Sequence, residues 1–380
     1  MSAGIYIHVP FCSRKCDYCG FYSVPCGQLS PGGRNELVSR YVSVLKSEIE
    51  ASTHCHGMPV DTVYFGGGTP SLAGPDTIGQ ILSIIRSCFK LLPGAEISVE
   101  CNPGDFSVPA ACAFRDLGVN RLTLGIQTFS ERLRGVIGRS APAGNAELLA
   151  EFMSVDGIAH GIDIIAGIPG STDEELDAEL APVAARKPEH VSAYMLSVEE
   201  GTPLAGRMIL DAAAGEEQRR HFATAIATLT RAGYRHYEIS NFCLPGFESR
   251  HNLKYWKFLP YLGFGVRAHS FVGGRRFYNA QSLEEYLAGP VRSEDVRTGN
   301  AAHAEFIMIA LRLIDGFTDA EYEAALGAGM PDSVARSFEE QQRRGMIEIA
   351  AGGKSTAYRL TREGLFLADS VIYAAVESLL

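Results

Sequence analysis

Eight residues near the start of the chain concentrate its chemistry: Cys12-Ser13-Arg14-Lys15-Cys16-Asp17-Tyr18-Cys19 puts three thiols in one short loop. Three thiolates can hold three irons of a cubane cluster and leave the fourth iron open to an amino-carboxylate chelate. They can also contribute to a zinc site, which then needs a fourth ligand. His8, four residues before Cys12, is the candidate for that place, and no second cysteine pair follows at zinc-ribbon spacing. The other cysteines, Cys26, Cys55, Cys88, Cys101, Cys112 and Cys243, show no ligand spacing and read as small buried hydrophobes.

Further polar groups stand where a ligand can be held. Gly66-Gly67-Gly68-Thr69-Pro70 lacks the Gly-Lys-Ser/Thr ending of a phosphate-binding loop. Its glycines instead let the backbone approach a ligand, offering amides and carbonyls to an amino or carboxylate group; a plain tight turn is the alternative. Glu100 ends an otherwise apolar strand, a place suited to accepting from ribose hydroxyls, and Gln127 and Asp163 take comparable positions. Arg139 offers the planar fork that recognises a carboxylate. In His251-Asn252-Leu253-Lys254-Tyr255-Trp256 an imidazole able to ligate iron precedes two aromatic rings able to cover a flat ligand. The competing reading is a core histidine packed by aromatics.

The elements that must position these groups alternate. Ile5 to Val9, Asp61 to Phe65, Glu96 to Cys101, Arg121 to Ile126, Gly161 to Ile165 and Val191 to Ser197 read as strands. Between them, Arg40 to Ser52 and Ile78 to Phe89 carry apolar residues at helical intervals. Six β/α units predict an incomplete parallel barrel, whose reactive groups gather on loops after the carboxyl ends of strands. The cysteine loop, the glycine run, Glu100, Gln127 and Asp163 all fall at or near such ends, so they are expected on one rim.

Another short strand is expected over Arg235 to Ser240, then an aromatic-rich stretch to about Phe277. Beyond about Ser282, helices are expected over Ala301 to Asp315, Thr318 to Leu326 and Asp332 to Arg344. Met346 to Ile349, a Gly352-Gly353 turn and Ala357 to Leu360 read as a hairpin before a final helix from Thr361. The expectation is therefore two domains: a barrel with its extension over 1–285, the extension from about 200, and a smaller, mainly helical, winged-helix-like unit over 286–380.

A formal net charge of -10 argues against an extended phosphate-neutralising surface, so no nucleic-acid partner is expected. No basic segment followed by an apolar run opens the sequence, and no long apolar stretch interrupts it. A soluble protein of the reducing cytoplasm is the expectation, with peripheral membrane contact and a homodimer left open.

Tyr6-Ile7-His8-Val9-Pro10-Phe11-Cys12, the three-cysteine loop, Phe65-Gly66-Gly67-Gly68-Thr69-Pro70 and Glu100-Cys101-Asn102-Pro103 together resemble the HemN/HemW branch of radical S-adenosylmethionine (SAM) proteins, nearly end to end. The resemblance implies a partial (β/α)6 TIM-like barrel and a [4Fe-4S] cluster on Cys12, Cys16 and Cys19. It implies SAM contacts from Tyr6, Tyr18, Gly67, Gly68, Thr69, Glu100, Gln127, Arg139 and Asp163. Phe21 stands where the anaerobic coproporphyrinogen III oxidases carry a further cysteine, and only eleven residues precede Cys12; both features are similar to the HemW haem chaperones. So is His251-Asn252-x-x-Tyr255-Trp256, which the resemblance associates with haem and hence with a haem-acceptor protein. A radical-SAM decarboxylase of coproporphyrinogen III or a HemN-like methyltransferase is the alternative. The chain departs from the family at Val266-Arg267, where Pro-Gly is usual, at Ala141, and at Gly170-Ser171-Thr172. Val266-Arg267 is expected to add bulk and charge near the pocket.

Overall fold

The computed structural model describes residues 2–139, 145–208, 212–289, 291–352 and 355–379. Six parallel strands form its centre: β1 Ala3–Val9, β2 Pro59–Gly67, β3 Lys90–Cys101, β4 Arg121–Gln127, β5 Ala159–Ala166 and β6 His190–Met195. They pair in chain order. On the β6 side the sheet continues antiparallel through β7 Arg235–Glu238 and β8 Asn241–Cys243, with β8 next to β6. On the β1 side β9 Tyr261–Phe264 adds a further parallel strand, and β10 His269–Val272, β11 Arg275–Tyr278 and β12 Ser293–Asp295 follow antiparallel.

Side chains alternate across a strand, and here that alternation separates two environments. Val63, Phe65, Ile97, Val99, Leu122, Leu124, Ile162, Ile164, Val191 and Ala193 belong to the main apolar core. Their neighbours Tyr64, Glu100, Arg121, Thr123, Asp163, His190, Ser192 and Tyr194 line a small inner cavity. The barrel therefore has a polar lumen within an apolar shell. The strand before Glu100 is accordingly not simply apolar: Glu96 and Ser98, both buried, alternate with Ile97 and Val99 on the way to it.

The helices cover the apolar side. Gly74–Cys88 buries Ile78, Ile81, Leu82 and Ile85, one stripe of its surface, with Asp76 in the first turn and Arg86 in the last complementing its dipole. Each such side chain contributes roughly 2 kcal/mol on burial. Helix Pro31–Ala51 begins well before the expected Arg40. Its Pro31-Gly32-Gly33 opening resembles a breaker, yet proline suits a first helical turn and Ser30 accepts from the Gly33 amide at 3.1 Å.

A second apolar core gathers residues from Ala304 to Leu379 together with Ile239, whereas Tyr286 still belongs to the first. It contains helices Asn300–Ala310, Asp319–Leu326 and Asp332–Arg343. Its three-stranded sheet is made of β13 Phe317–Thr318, β14 Ile347–Gly352 and β15 Ser355–Leu360, with β15 central. The hairpin thus has a third strand that the sequence reading did not include, and its Gly353 lies outside the described residues.

Helix Asn300–Ala310 stops five residues short of the expected Asp315. The amide of Ile239 donates to the Arg312 carbonyl at 3.0 Å and that of Ile314 to the Tyr237 carbonyl at 3.2 Å, so β7 claims the backbone that would have continued the helix. Among the described residues, no helix is long and apolar enough to cross a membrane.

Candidate functional site

The cysteine loop leaves β1 at the carboxyl end and is tied down on several sides. The Cys26 amide donates to the Cys12 carbonyl at 2.8 Å and the Gly27 amide to that of Ser13 at 3.0 Å. The segment after β6 closes over it: the Leu204 amide donates to the Asp17 carbonyl at 2.9 Å, and Arg207 Nη2 pairs with Asp17 Oδ2 at 2.5 Å. Arg139, only 7% exposed, reaches in from beyond β4. Its Nη1 donates to the Tyr18 hydroxyl at 3.0 Å and lies 3.9 Å from Cys16 Sγ, and its Nη2 donates to Asn102 Oδ1 at 3.0 Å and to the Gly125 carbonyl. The guanidinium therefore binds loop and strand ends together, while its buried Nε has no hydrogen-bond partner among the described residues.

Cys12, Cys16 and Cys19 border one cavity of about 690 Å³. Tyr18, Gly67, Gly68, Thr69, Glu100, Gln127, Arg139 and Asp163 line it too, so one rim gathers them. Tyr6 is not among the lining residues; it lies deeper, its hydroxyl 3.1 Å from His8 Nδ1 and its ring stacked on Tyr64. Gln127 holds φ at +68°, a backbone state costly for a residue with a side chain and often found where a site requires it.

The glycine run serves the cysteine loop as much as any ligand. A Cβ on Gly67, where φ is +109°, would stand 2.5 Å from the His8 ring. A Cβ on Gly68 would stand 2.7 Å from the backbone of Pro10 and Phe11. The glycines thus admit the chain that leads into Cys12. Thr69 then meets Cys12 Sγ at 3.4 Å and accepts from Asn102 Nδ2 at 2.7 Å.

Two carboxyls face the cavity in unusual states. Burial pushes Glu100 up to about 7, against the Tyr64 hydroxyl bond at 2.6 Å and with the charge of Asp163 adding to the rise. Burial also lifts Asp163 to about 6, against its bond from Ser192 and the charge of Arg139. Acids held near neutrality at one site can accept hydrogen bonds from hydroxyls or balance a cation, and they respond to a ligand by changing protonation. Burial likewise raises the Cys12 and Cys19 thiols, and a metal's positive charge would favour their thiolates.

Among the described residues no three His, Cys, Asp or Glu side chains stand close enough to hold one ion. Three thiols in one loop are the donor chemistry that a cubane takes, each thiolate on a different iron. His8 is also spoken for: Nδ1 meets the Tyr6 hydroxyl and Nε2 lies 3.0 Å from the Tyr22 carbonyl. That corrects its candidacy as a fourth zinc ligand. Of the scattered cysteines, Cys26, Cys55, Cys101 and Cys243 are buried, and Cys88 and Cys112 are half-buried against the core.

His251, Asn252, Tyr255 and Trp256 lie elsewhere. Helix Arg250–Trp256 caps the amino end of the strands, where Glu96 accepts from the Arg250 and His251 amides at 3.2 and 3.0 Å. The length of β1 from Gly4 to Val9, roughly 17 Å, separates this end from the cysteine loop. His251 is fully buried, with Nδ1 2.9 Å from Thr62 Oγ1 and Nε2 2.8 Å from the Tyr255 hydroxyl. Burial, with Lys254 adding, lowers its pKa to about 3. Both ring nitrogens are thus engaged within the protein, and an axial role for His251 would require these bonds to open. Asn252 borders the inner cavity, and the Arg312 guanidinium carbon stands 5.3 Å from the Trp256 ring centroid.

The departures are also placed. Val266 is buried, and Arg267 is not among the lining residues; its guanidinium carbon stands 4.8 Å from the Tyr22 ring centroid, and its charge reaches His8 beneath Gly67. Ser171 meets His221 Nδ1 at 3.2 Å and Thr172 caps helix Asp173–Arg186. Ala141 lies outside the described residues. The sequence reading did not single out Asn102, Tyr194 or Arg312 as site residues. Asn102 sat within a quoted motif, and the alternation of Ser192 and Tyr194 with Val191 and Ala193 was a readable signal for the second; nothing local marks Arg312.

Residues 6–181 match the model of the radical SAM superfamily. The haem chaperone HemW of Mycobacterium tuberculosis is 36% identical over 333 residues, covering 85% of this chain and 84% of that protein. HemW of Escherichia coli is 29% identical, covering 97% and 96%. The structure of coproporphyrinogen III oxidase HemN from E. coli superposes with a TM-score of 0.81 at 20% identity, covering 99% of this chain and 90% of that one, a likeness of fold. The chain belongs to the radical SAM superfamily and, within it, to the HemN/HemW family on its HemW side.

Proposed function

We propose that the protein is a haem chaperone of radical-SAM architecture, carrying a [4Fe-4S] cluster and SAM and passing haem to a haem-requiring acceptor protein. The observation that carries this reading is the single cavity bordered by the three cysteines and the strand-end polar groups, which extends to Arg312 beside Trp256. Cys12, Cys16 and Cys19 would hold the cluster; when bound, it supplies one electron at a time and an open iron for an amino-carboxylate chelate. Gly67, Gly68 and Thr69 would present backbone groups to SAM, and Glu100 with Asp163 would accept from its hydroxyls. Gln127 and Arg139 would border it, while Tyr6 would act from below through Tyr64, and Tyr18 through its bond to Arg139.

In this reading His251 and Tyr255 position the barrel floor, and haem lodges on the Arg312 side of the cavity. Anaerobic reconstitution should give about four irons per chain with broad visible absorption, followed by saturable haem binding seen as a Soret shift. Absence of saturable haem binding by the reconstituted protein would overturn the proposal. So would rapid 5′-deoxyadenosine release tied to a decarboxylated porphyrinogen, or S-adenosylhomocysteine release tied to methylation, either of which would mark an enzyme.

A further inference from the structure

Among the described residues that line the cysteine cavity, Arg312 alone comes from beyond Glu199. It sits in the turn over 311–315, which β7 holds by backbone hydrogen bonds at 3.0 and 3.2 Å. The second core unit therefore contributes one cation to a cavity otherwise built by the barrel and the segment that follows β6.

That cation is poorly used within the protein. Its Nε is buried without a hydrogen-bond partner, and its Nη1 lies 3.5 Å from Asp369 Oδ1, a side chain 95% exposed. An ion pair with so exposed a carboxylate is weak and easily exchanged. The Trp256 ring beneath the guanidinium, its centroid 5.3 Å from the guanidinium carbon, helps to orient it. Glu238, buried on β7, also draws on its charge, which gives Arg312 a structural role that any test has to separate.

We propose that Arg312 is an anchor for a ligand carboxylate in the cysteine cavity, and that the ligand it selects is a flat ring bearing carboxylate arms. This rests on the haem reading, since haem carries two propionates. The guanidinium pairs with one of them in a two-point contact and Asp369 is displaced to solvent. Arg14 and Lys15 of the cysteine loop and Arg139 are the competing cations.

The test compares haem with its dimethyl ester, which keeps ring and iron but removes both carboxylates. Full-length reconstituted protein is titrated with each, read by difference absorption and by quenching of Trp256, the only tryptophan in the chain. Wild type should bind haem at least about tenfold more tightly than the ester. Arg312→Gln should weaken haem by about that factor and leave the ester unchanged, while Asp369→Asn should tighten haem. Discrimination that survives in Arg312→Gln would overturn the anchor and point to Arg14, Lys15 or Arg139. Equal loss for both ligands with lowered thermal stability would overturn it too, as the mark of a support for Glu238. If wild type binds both equally, the haem reading stands and the anchor falls; if it binds neither, both fall.

Discussion

Thr62 and His251, 189 positions apart, meet through a 2.9 Å hydrogen bond at the fully buried floor of the barrel. The bond continues from His251 to the Tyr255 hydroxyl, so the histidine of the haem-associated signature links β2 to helix Arg250–Trp256. His251→Ala leaves a cavity and two buried hydroxyls without this partner, and stability should fall by about 2–4 kcal/mol in denaturant unfolding. Bound haem should keep its Soret position. A folded variant that loses it would restore His251 as a ligand.

Glu100 should make stability depend on pH. Its folded pKa, about 7, lies above the ordinary carboxyl value, so the native state binds more protons between about pH 4.5 and 7. Its contribution is fully present below that window and is lost as pH rises through it, by up to roughly 3 kcal/mol. Denaturant midpoints of wild type and Glu100→Gln across this range should diverge with rising pH, the variant gaining relative to wild type. Parallel curves would refute the assignment.

Gly67→Ala should be far more harmful than a surface glycine change. The new methyl would sit 2.5 Å from the His8 ring at a positive φ. We expect a loss of about 2–4 kcal/mol and displacement of the cysteine loop. Iron content after reconstitution and a melting curve report both effects; Gly246→Ala, with a positive φ but open space, should retain iron.

Arg139→Lys should fail to substitute. One ammonium cannot span Tyr18, Asn102 and the Gly125 carbonyl as the fork does. Iron retention under a chelator should drop severalfold, with the melting temperature lowered. Full retention would show that the fork is dispensable for the loop.

Glu48 is a buried carboxylate that holds the sheet extension to helix Pro31–Ala51, accepting from the Gly265 amide at 2.9 Å, Asn279 at 2.7 Å and Tyr286 at 2.7 Å, with Arg292 at 3.1 Å. Glu48→Ala strands those donors and should cost about 3–5 kcal/mol. Lys46→Ala, which breaks an exposed pair with Glu50 four residues on along the same helix, should cost under about 0.5 kcal/mol. Similar unfolding midpoints for the two variants would contradict the buried network.

Much of the site was legible in local sequence because its parts occupy strand ends, and parallel strands deliver their carboxyl ends to one rim wherever they pair. Cys12, Cys16 and Cys19, the glycine run, Glu100, Gln127 and Asp163 follow from that rule alone. Alternation also wrote the polar lumen into Thr62 to Phe65 and Glu96 to Glu100, although the strand was read as apolar because its end was taken without its period. What the tertiary structure decided is distance. The rings of His251 and Trp256 look like one ligand platform in sequence, yet a helical turn sends one into the barrel floor and leaves the other beside Arg312. Arg312 itself became part of the cavity only because β7 captured the backbone after Ala310, a pairing between segments some seventy residues apart that no local pattern encodes. Residue types and spacing set the available chemistry; long-range backbone pairing determined which groups share a space.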